Sequence, residues 1–136
     1  MLILVFDLDY TLYYLPYWIQ FEYDLLKKNK NLNNLFKTLT NKKYIFTSAT
    51  MKHTVNVLKK LELENIFDKI ETCNTLNGYK PNINIYHNFI KKCSINKEDE
   101  IYFFEDNILN LEIAKKFNWI TIYISGPYSK YNEKDN

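Results

Sequence analysis

Leu2-Ile3-Leu4-Val5-Phe6-Asp7-Leu8-Asp9-Tyr10-Thr11 opens the chain with an apolar run that ends on two aspartates one residue apart, followed by a threonine. A continuous apolar run of this length reads as a strand buried on both faces. Two acids at its end concentrate negative charge at the mouth of a sheet, which is costly unless a cation or a reaction makes use of it. The run has no basic leader and meets acids after six residues, so it reads as a strand and not as a secretory signal.

Working outward, four further strand-like runs are expected: residues 43–46 ending at Thr47, 69–72, 101–104 ending at Glu105-Asp106, and 119–124. Helical spacing lies between them. Val55, Leu58 and Leu61 share a face in 51–61, and Ile83, Tyr86, Phe89 and Ile90 follow Pro81, which suits a helix start. Leu111, Ile113, Ala114 and Phe117 mark a third helix over 109–117, with Asn107 placed to cap it. Strands alternating with helices predict right-handed βαβ crossovers and a five-stranded parallel sheet covered on both faces, a Rossmann-like α/β fold. Residues 12–41 break the alternation. Pro16 begins an aromatic stretch (Tyr17, Trp18, Phe21, Tyr23), and Leu32, Leu35, Phe36 and Leu39 follow a polar middle. The spacing predicts two helices joined by a turn around residues 28–31.

The length of 136 residues suits one domain, expected over 1–127, with 12–41 inserted into it and a polar tail over 128–136. A net charge of +2 gives no electrostatic case for a nucleic-acid or membrane partner. All basic residues are lysines, so any bound phosphate meets point charges and not a guanidinium fork. Cys73 and Cys93 are too few and too far apart for a disulfide framework or zinc site, so a reducing compartment, the cytoplasm, is expected.

In an open α/β sheet, ligands bind beyond the carboxyl ends of the strands. Three of the expected strands end in residues suited to phosphate chemistry: Asp7 and Asp9, Thr47 and Ser48, Glu105 and Asp106. Lys80 lies between the last two, in a loop set by Gly78 and Pro81. Phosphoryl transfer asks for a nucleophile, charge neutralisation by magnesium and lysine, a hydroxyl on the phosphoryl oxygens, and an acid that moves protons. Plainer roles exist for several of these residues. Thr47 and Ser48 could cap the next helix, Glu105 and Asp106 could favour a helix start, and Lys80 could be a surface charge. His53 is expected in a helix-start or packing role, and the aromatic cluster in packing more than base stacking.

These motifs resemble those of the haloacid dehalogenase superfamily of aspartyl-phosphate phosphohydrolases. Asp7-Leu8-Asp9-Tyr10-Thr11, Ile45-Phe46-Thr47-Ser48-Ala49, Tyr79-Lys80-Pro81 and Phe103-Phe104-Glu105-Asp106-Asn107 occur in the family's order. The resemblance implies Asp7 as nucleophile and magnesium ligand, and Asp9 as general acid/base with its carbonyl on the metal. It also implies Thr47, with Ser48, and Lys80 as binders of the phosphoryl group, and Asp106 as the remaining Mg2+ ligand. Dehalogenases of the superfamily lack the second acid, so Asp9 implies phosphomonoester hydrolysis. Within the superfamily the chain is similar to pyrimidine 5′-nucleotidase-like members and to small, nearly cap-less magnesium-dependent phosphatases. Residues 12–41 are too short for a full helical cap and are read as a reduced one. The expected substrate is a nucleotide or small phosphometabolite. The alternatives are a bulky substrate (a phosphoprotein or a nucleic-acid 3′-phosphate) and a catalytically idle binding module.

Overall fold

The computed structural model describes residues 1–16, 18 and 21–126. The five strand-like runs form strands β1 (Leu2–Phe6), β2 (Lys42–Phe46), β3 (Lys69–Glu71), β4 (Glu100–Glu105) and β5 (Ile120–Tyr123). They make one all-parallel sheet in the order β3-β2-β1-β4-β5, with β1 at its centre. The order reverses between β1 and β4, and this switch point is where an α/β sheet opens a crevice at its carboxyl edge.

Side-chain alternation explains the burial. Ile3 and Val5 face one core with Phe46, Phe103, Tyr86 and Phe89, while Leu4 and Phe6 face another with Ile45, Val57 and Leu58. Helices α4 (Ile83–Lys92) and α5 (Ile108–Lys115) cover the first face. Helices α1 (Lys30–Thr38) and α2 (Met51–Lys60) cover the second. Aromatic packing is dense on the first face, where the rings of Phe46 and Phe89 stack 4.4 Å apart.

Residues 12–41 differ from expectation. The described part holds one 3₁₀ turn, Tyr23–Leu25, and one helix, α1. Glu22 and Leu26 are extended on either side of the turn, and the Asn29 side chain caps α1 by accepting the Leu32 N–H. The aromatic residues do not share one helical face: Phe21 and Tyr23 turn onto His53, while Leu12, Tyr13, Leu15, Leu26 and Phe36 enter the core beside β1 and α2. A short helix, α3 (Cys73–Leu76), was not expected; Thr72, read as a strand end, is its N-cap and forms a capping box with Thr75. Tyr17 and the tail over 128–136 lie outside the described residues. Among the described residues no helix is long and apolar enough to cross a membrane.

Candidate active site

The sheet delivers its site residues on rigid footings. One residue beyond β1, the Asp7 N–H donates to the Phe104 carbonyl, and one beyond β2, the Thr47 N–H donates to Glu71, so the strand ladder continues into both loops. After Asp7 the chain turns sharply: the Thr11 and Leu12 N–H groups both donate to Leu8, with Tyr10 in the left-handed region at φ 62°. The turn brings the Thr11 hydroxyl back onto Asp7 Oδ2 at 3.0 Å.

Lys80 reaches this point through Gly78, where an added Cβ would lie 2.7 Å from Ile85 Cδ1. The Lys80 N–H is held by Ser48 Oγ. Its ammonium is 1% exposed and donates to Asp7 Oδ1 (3.0 Å), Glu105 Oε2 (2.7 Å) and the Phe46 carbonyl (2.7 Å). All three of its protons therefore have partners. The Phe46 and Phe103 rings lie beneath it, at 5.0 and 5.4 Å. Glu105 closes the arrangement: while Oε2 takes Lys80, Oε1 accepts the N–H groups of Asp106 and Asn107.

Asp7, Asp106 and Glu105 bring carboxylate oxygens within 4.8 Å of one another, beside a single ammonium. Burial raises the Asp7 carboxyl, but the Lys80 charge and hydrogen bonds from its neighbours outweigh it, and the net shift is downward. Burial and then Asp7, by hydrogen bond and charge, push Asp106 up to about 7. Burial pushes Glu105 up too, with the Asp7 charge acting the same way and Lys80 against it. Glu105 and Asp106 are thus held toward their protonated forms, and a divalent cation would displace those protons. Hard oxygen donors in this number suit magnesium, so the residues fit the ion that the motifs imply. Glu105 lies deepest, its side chain 1% exposed against 10% for Asp7, so Asp7 and Asp106 are the side chains placed to hold it.

The predicted site residues converge. Asp7, Asp9, Thr47, Ser48, Lys80 and Asp106 all line one open cleft of about 340 Å³, joined by Ala49, Glu105, Asn107 and Asn110. A larger cleft of about 780 Å³ lies at the opposite, amino end of β4 and β5, away from these groups. The plainer role for Thr47 and Ser48 falls away, because Thr50 is the residue that caps α2, accepting the His53 N–H. Asn107 caps α5 as expected.

Asp9 has partners that the sequence did not reveal. Its Oδ1 accepts the Tyr13 hydroxyl and lies 2.7 Å from His53 Nε2, while His53 Nδ1 is 2.8 Å from the Tyr23 hydroxyl. Burial and the Asp9 charge raise the Tyr13 phenol, which keeps it a donor. His53 sits at the helix start, as expected, but its ring joins Asp9 to Tyr23. The only signal was position: the first turn of the helix after the Thr47 loop faces the carboxyl edge of the sheet.

Residues 13–124 match the family of haloacid dehalogenase-like hydrolases. The chain belongs to this family. The matched span begins just past Asp7 and Asp9, so membership rests on the remainder of the chain. Solved structures place this haloacid dehalogenase-like chain in the same fold at low identity. A dehalogenase with an intermediate complex superposes with a TM-score of 0.63 at 22% identity, over 71% of this chain and 44% of that one. The L-2-haloacid dehalogenase of Xanthobacter autotrophicus, with chloropropionic acid covalently bound, gives 0.64 at 16%, over 78% and 44%. The core domain of a "putative phosphoglycolate phosphatase" from Streptococcus pneumoniae TIGR4 gives 0.61 at 19%, over 94% and 82%. The chain thus spans less than half the length of these two dehalogenases.

Proposed function

We propose that this haloacid dehalogenase-like hydrolase is a magnesium-dependent phosphomonoesterase that works through an aspartyl-phosphate on Asp7. One observation carries the reading: Asp7, Asp9, Thr47, Lys80 and Asp106 line a single cleft at the switch point of the sheet. Asp7 and Asp106, with the Asp9 carbonyl, would hold the ion, which when bound offsets the repulsion between carboxylate and phosphate.

The chain's own residues supply the rest. Asp7 attacks phosphorus as the bond to the leaving oxygen breaks, and Asp9 gives that oxygen a proton. Asp9 then takes a proton from water as the water oxygen attacks the aspartyl-phosphate, releasing phosphate and the Asp7 carboxylate. Thr47 and Ser48 have hydroxyl oxygens occupied by the Ala49 and Lys80 N–H groups, which leaves their protons for phosphoryl oxygens. Lys80 fixes Asp7 and supplies a positive charge that needs no reorganisation as charge moves.

Dehalogenation is the competing chemistry in this fold; Asp9, a second acid held by two donors, favours the phosphatase. The test is phosphate release from an aryl phosphate with and without magnesium, beside halide release from 2-chloropropionate. Magnesium-dependent phosphate release that Asp7→Asn abolishes is expected. Halide release, or an Asp7→Asn variant with the wild-type rate, would overturn the reading.

We take residues 1–127 as the catalytic unit and 12–41 as its reduced cap. A nucleotide or small phosphometabolite is the simplest substrate. A bulky phosphoester is a second reading, favoured by the cleft's lining, to which no described residue of 12–41 contributes.

A further inference from the structure

Among the described residues, the insert between the first two strands makes a direct side-chain hydrogen bond to Asp9. Tyr13 comes directly from the insert and donates to Asp9 Oδ1. His53 reaches the same oxygen from the first turn of α2. Its far nitrogen meets the Tyr23 hydroxyl from the 3₁₀ turn, and the rings of Phe21 and Tyr23 lie 5.1 and 5.5 Å from the imidazole.

Donor and acceptor capacity orders the chain. With its proton on Oδ2 or with none, the Asp9 carboxyl only accepts at Oδ1, so Tyr13 and His53 Nε2 both donate to it. In the neutral imidazole that leaves Nδ1 as acceptor for the Tyr23 hydroxyl proton. Both donors fall on Oδ1 of a carboxyl that lines the cleft, so Oδ2 is the oxygen left for the reactants.

We propose that His53, Tyr13 and Tyr23 are positioning residues that hold Asp9 by Oδ1, so that Oδ2 exchanges the proton with the leaving group and then with water. The inference rests on the phosphatase reading and gives the insert a purpose: it braces the acid, a role distinct from covering the substrate. The proton balance is that of the reaction. Asp9 Oδ2–H protonates the leaving alkoxide as the P–O bond breaks, and the Asp9 carboxylate recovers a proton from the attacking water.

A merely structural His53 and a positioning His53 differ in leaving-group dependence. 4-Nitrophenolate departs without a proton, whereas a simple alkoxide needs one, so only the alkyl ester depends on a well-placed acid. His53→Ala is expected to slow an alkyl phosphate roughly 10-fold more than 4-nitrophenyl phosphate, a fraction of what general acids contribute. His53→Gln, whose amide can still donate to Oδ1, should restore most of the difference, and Tyr23→Phe should give a smaller loss of the same kind. Equal loss on both esters, or none, overturns the proposal; should His53→Ala not fold, the Tyr23→Phe comparison decides in the same way. A second readout needs no turnover. In the metal-free protein, imidazole ¹⁵N shifts should report the Nε2–H tautomer with Nδ1 accepting a hydrogen bond, and Tyr23→Phe should move the Nδ1 signal. An Nδ1–H tautomer overturns the arrangement. If wild type hydrolyses neither ester, the phosphatase reading fails, and the ¹⁵N result still decides how Asp9 is held.

Discussion

Lys80 is the residue on which the charge balance of the site turns. Its ammonium is buried between Asp7 and Glu105 with every proton engaged. Removing one partner of a buried ion pair leaves an uncompensated charge, at a cost of ~3–5 kcal/mol. Lys80→Met should therefore destabilise the metal-free protein by about that amount in urea unfolding, and Lys80→Met with Glu105→Gln should recover part of the loss. Asp106 makes the opposite contribution. Its carboxyl lies at about 7 against an ordinary 3.8, so between those values the folded protein binds more protons than the unfolded chain. Stability then falls as pH rises through that window, and Glu105, also raised, acts in the same sense. Denaturation of metal-free protein across the window should show this slope, and Asp106→Asn should flatten it. Added magnesium should offset the loss on the high-pH side.

Among the elements, α2 does two jobs at one end. Thr50 caps it by accepting the His53 N–H, and the turn so fixed aims the imidazole at Asp9. Thr50→Ala should cost about 1 kcal/mol in urea unfolding, the usual worth of such a cap. Because cap and ring share a turn, Thr50→Ala and His53→Ala should be non-additive in the double variant. The central strands β1, β2 and β4 were legible in the sequence for a physical reason: inside a parallel sheet each carries an apolar run that stops where the polar site begins, a signal the edge strand β3 (Lys69-Ile70-Glu71) lacks. Asp7, Thr47 and Asp106 were legible with them, since each stands just past such a stop, and Lys80 was legible from its loop between Gly78 and Pro81. What was not legible depends on contacts across long separations. His53 lies 44 residues from Asp9, and Phe21 and Tyr23 pack around a ring that nothing in their own spacing indicates. In the described part of the insert's first predicted helix, the regular structure is a 3₁₀ turn at Tyr23–Leu25 with extended flanks.

At the scale of the molecule, the fold has built a polar cleft with almost no apolar lining. Among the described residues lining the cleft, Ala49 is the one that is apolar, whereas specific small-molecule pockets are lined mostly by apolar and aromatic side chains. Three aromatic residues of the insert are committed to one another and to Asp9 and His53: Tyr13 donates to Asp9, Tyr23 meets His53, and Phe21 packs against both tyrosines. Binding energy from remote parts of a substrate is what raises one substrate above another, and walls are what supply it. The kcat/KM values of nucleoside monophosphates, sugar phosphates and a phosphoserine peptide should then lie within about 10-fold of one another, since a missing wall forfeits the ~1–3 kcal/mol that a single apolar contact can discriminate. Phosphodiesters, which lack the second ionisable oxygen, should be poor substrates against all of them. The measurement is a steady-state panel at fixed magnesium. A preference of about 1,000-fold for pyrimidine monophosphates would mean that a base-binding wall exists beyond the residues lining this cleft, and an even profile that includes the peptide would favour an open site that takes its phosphate from large partners.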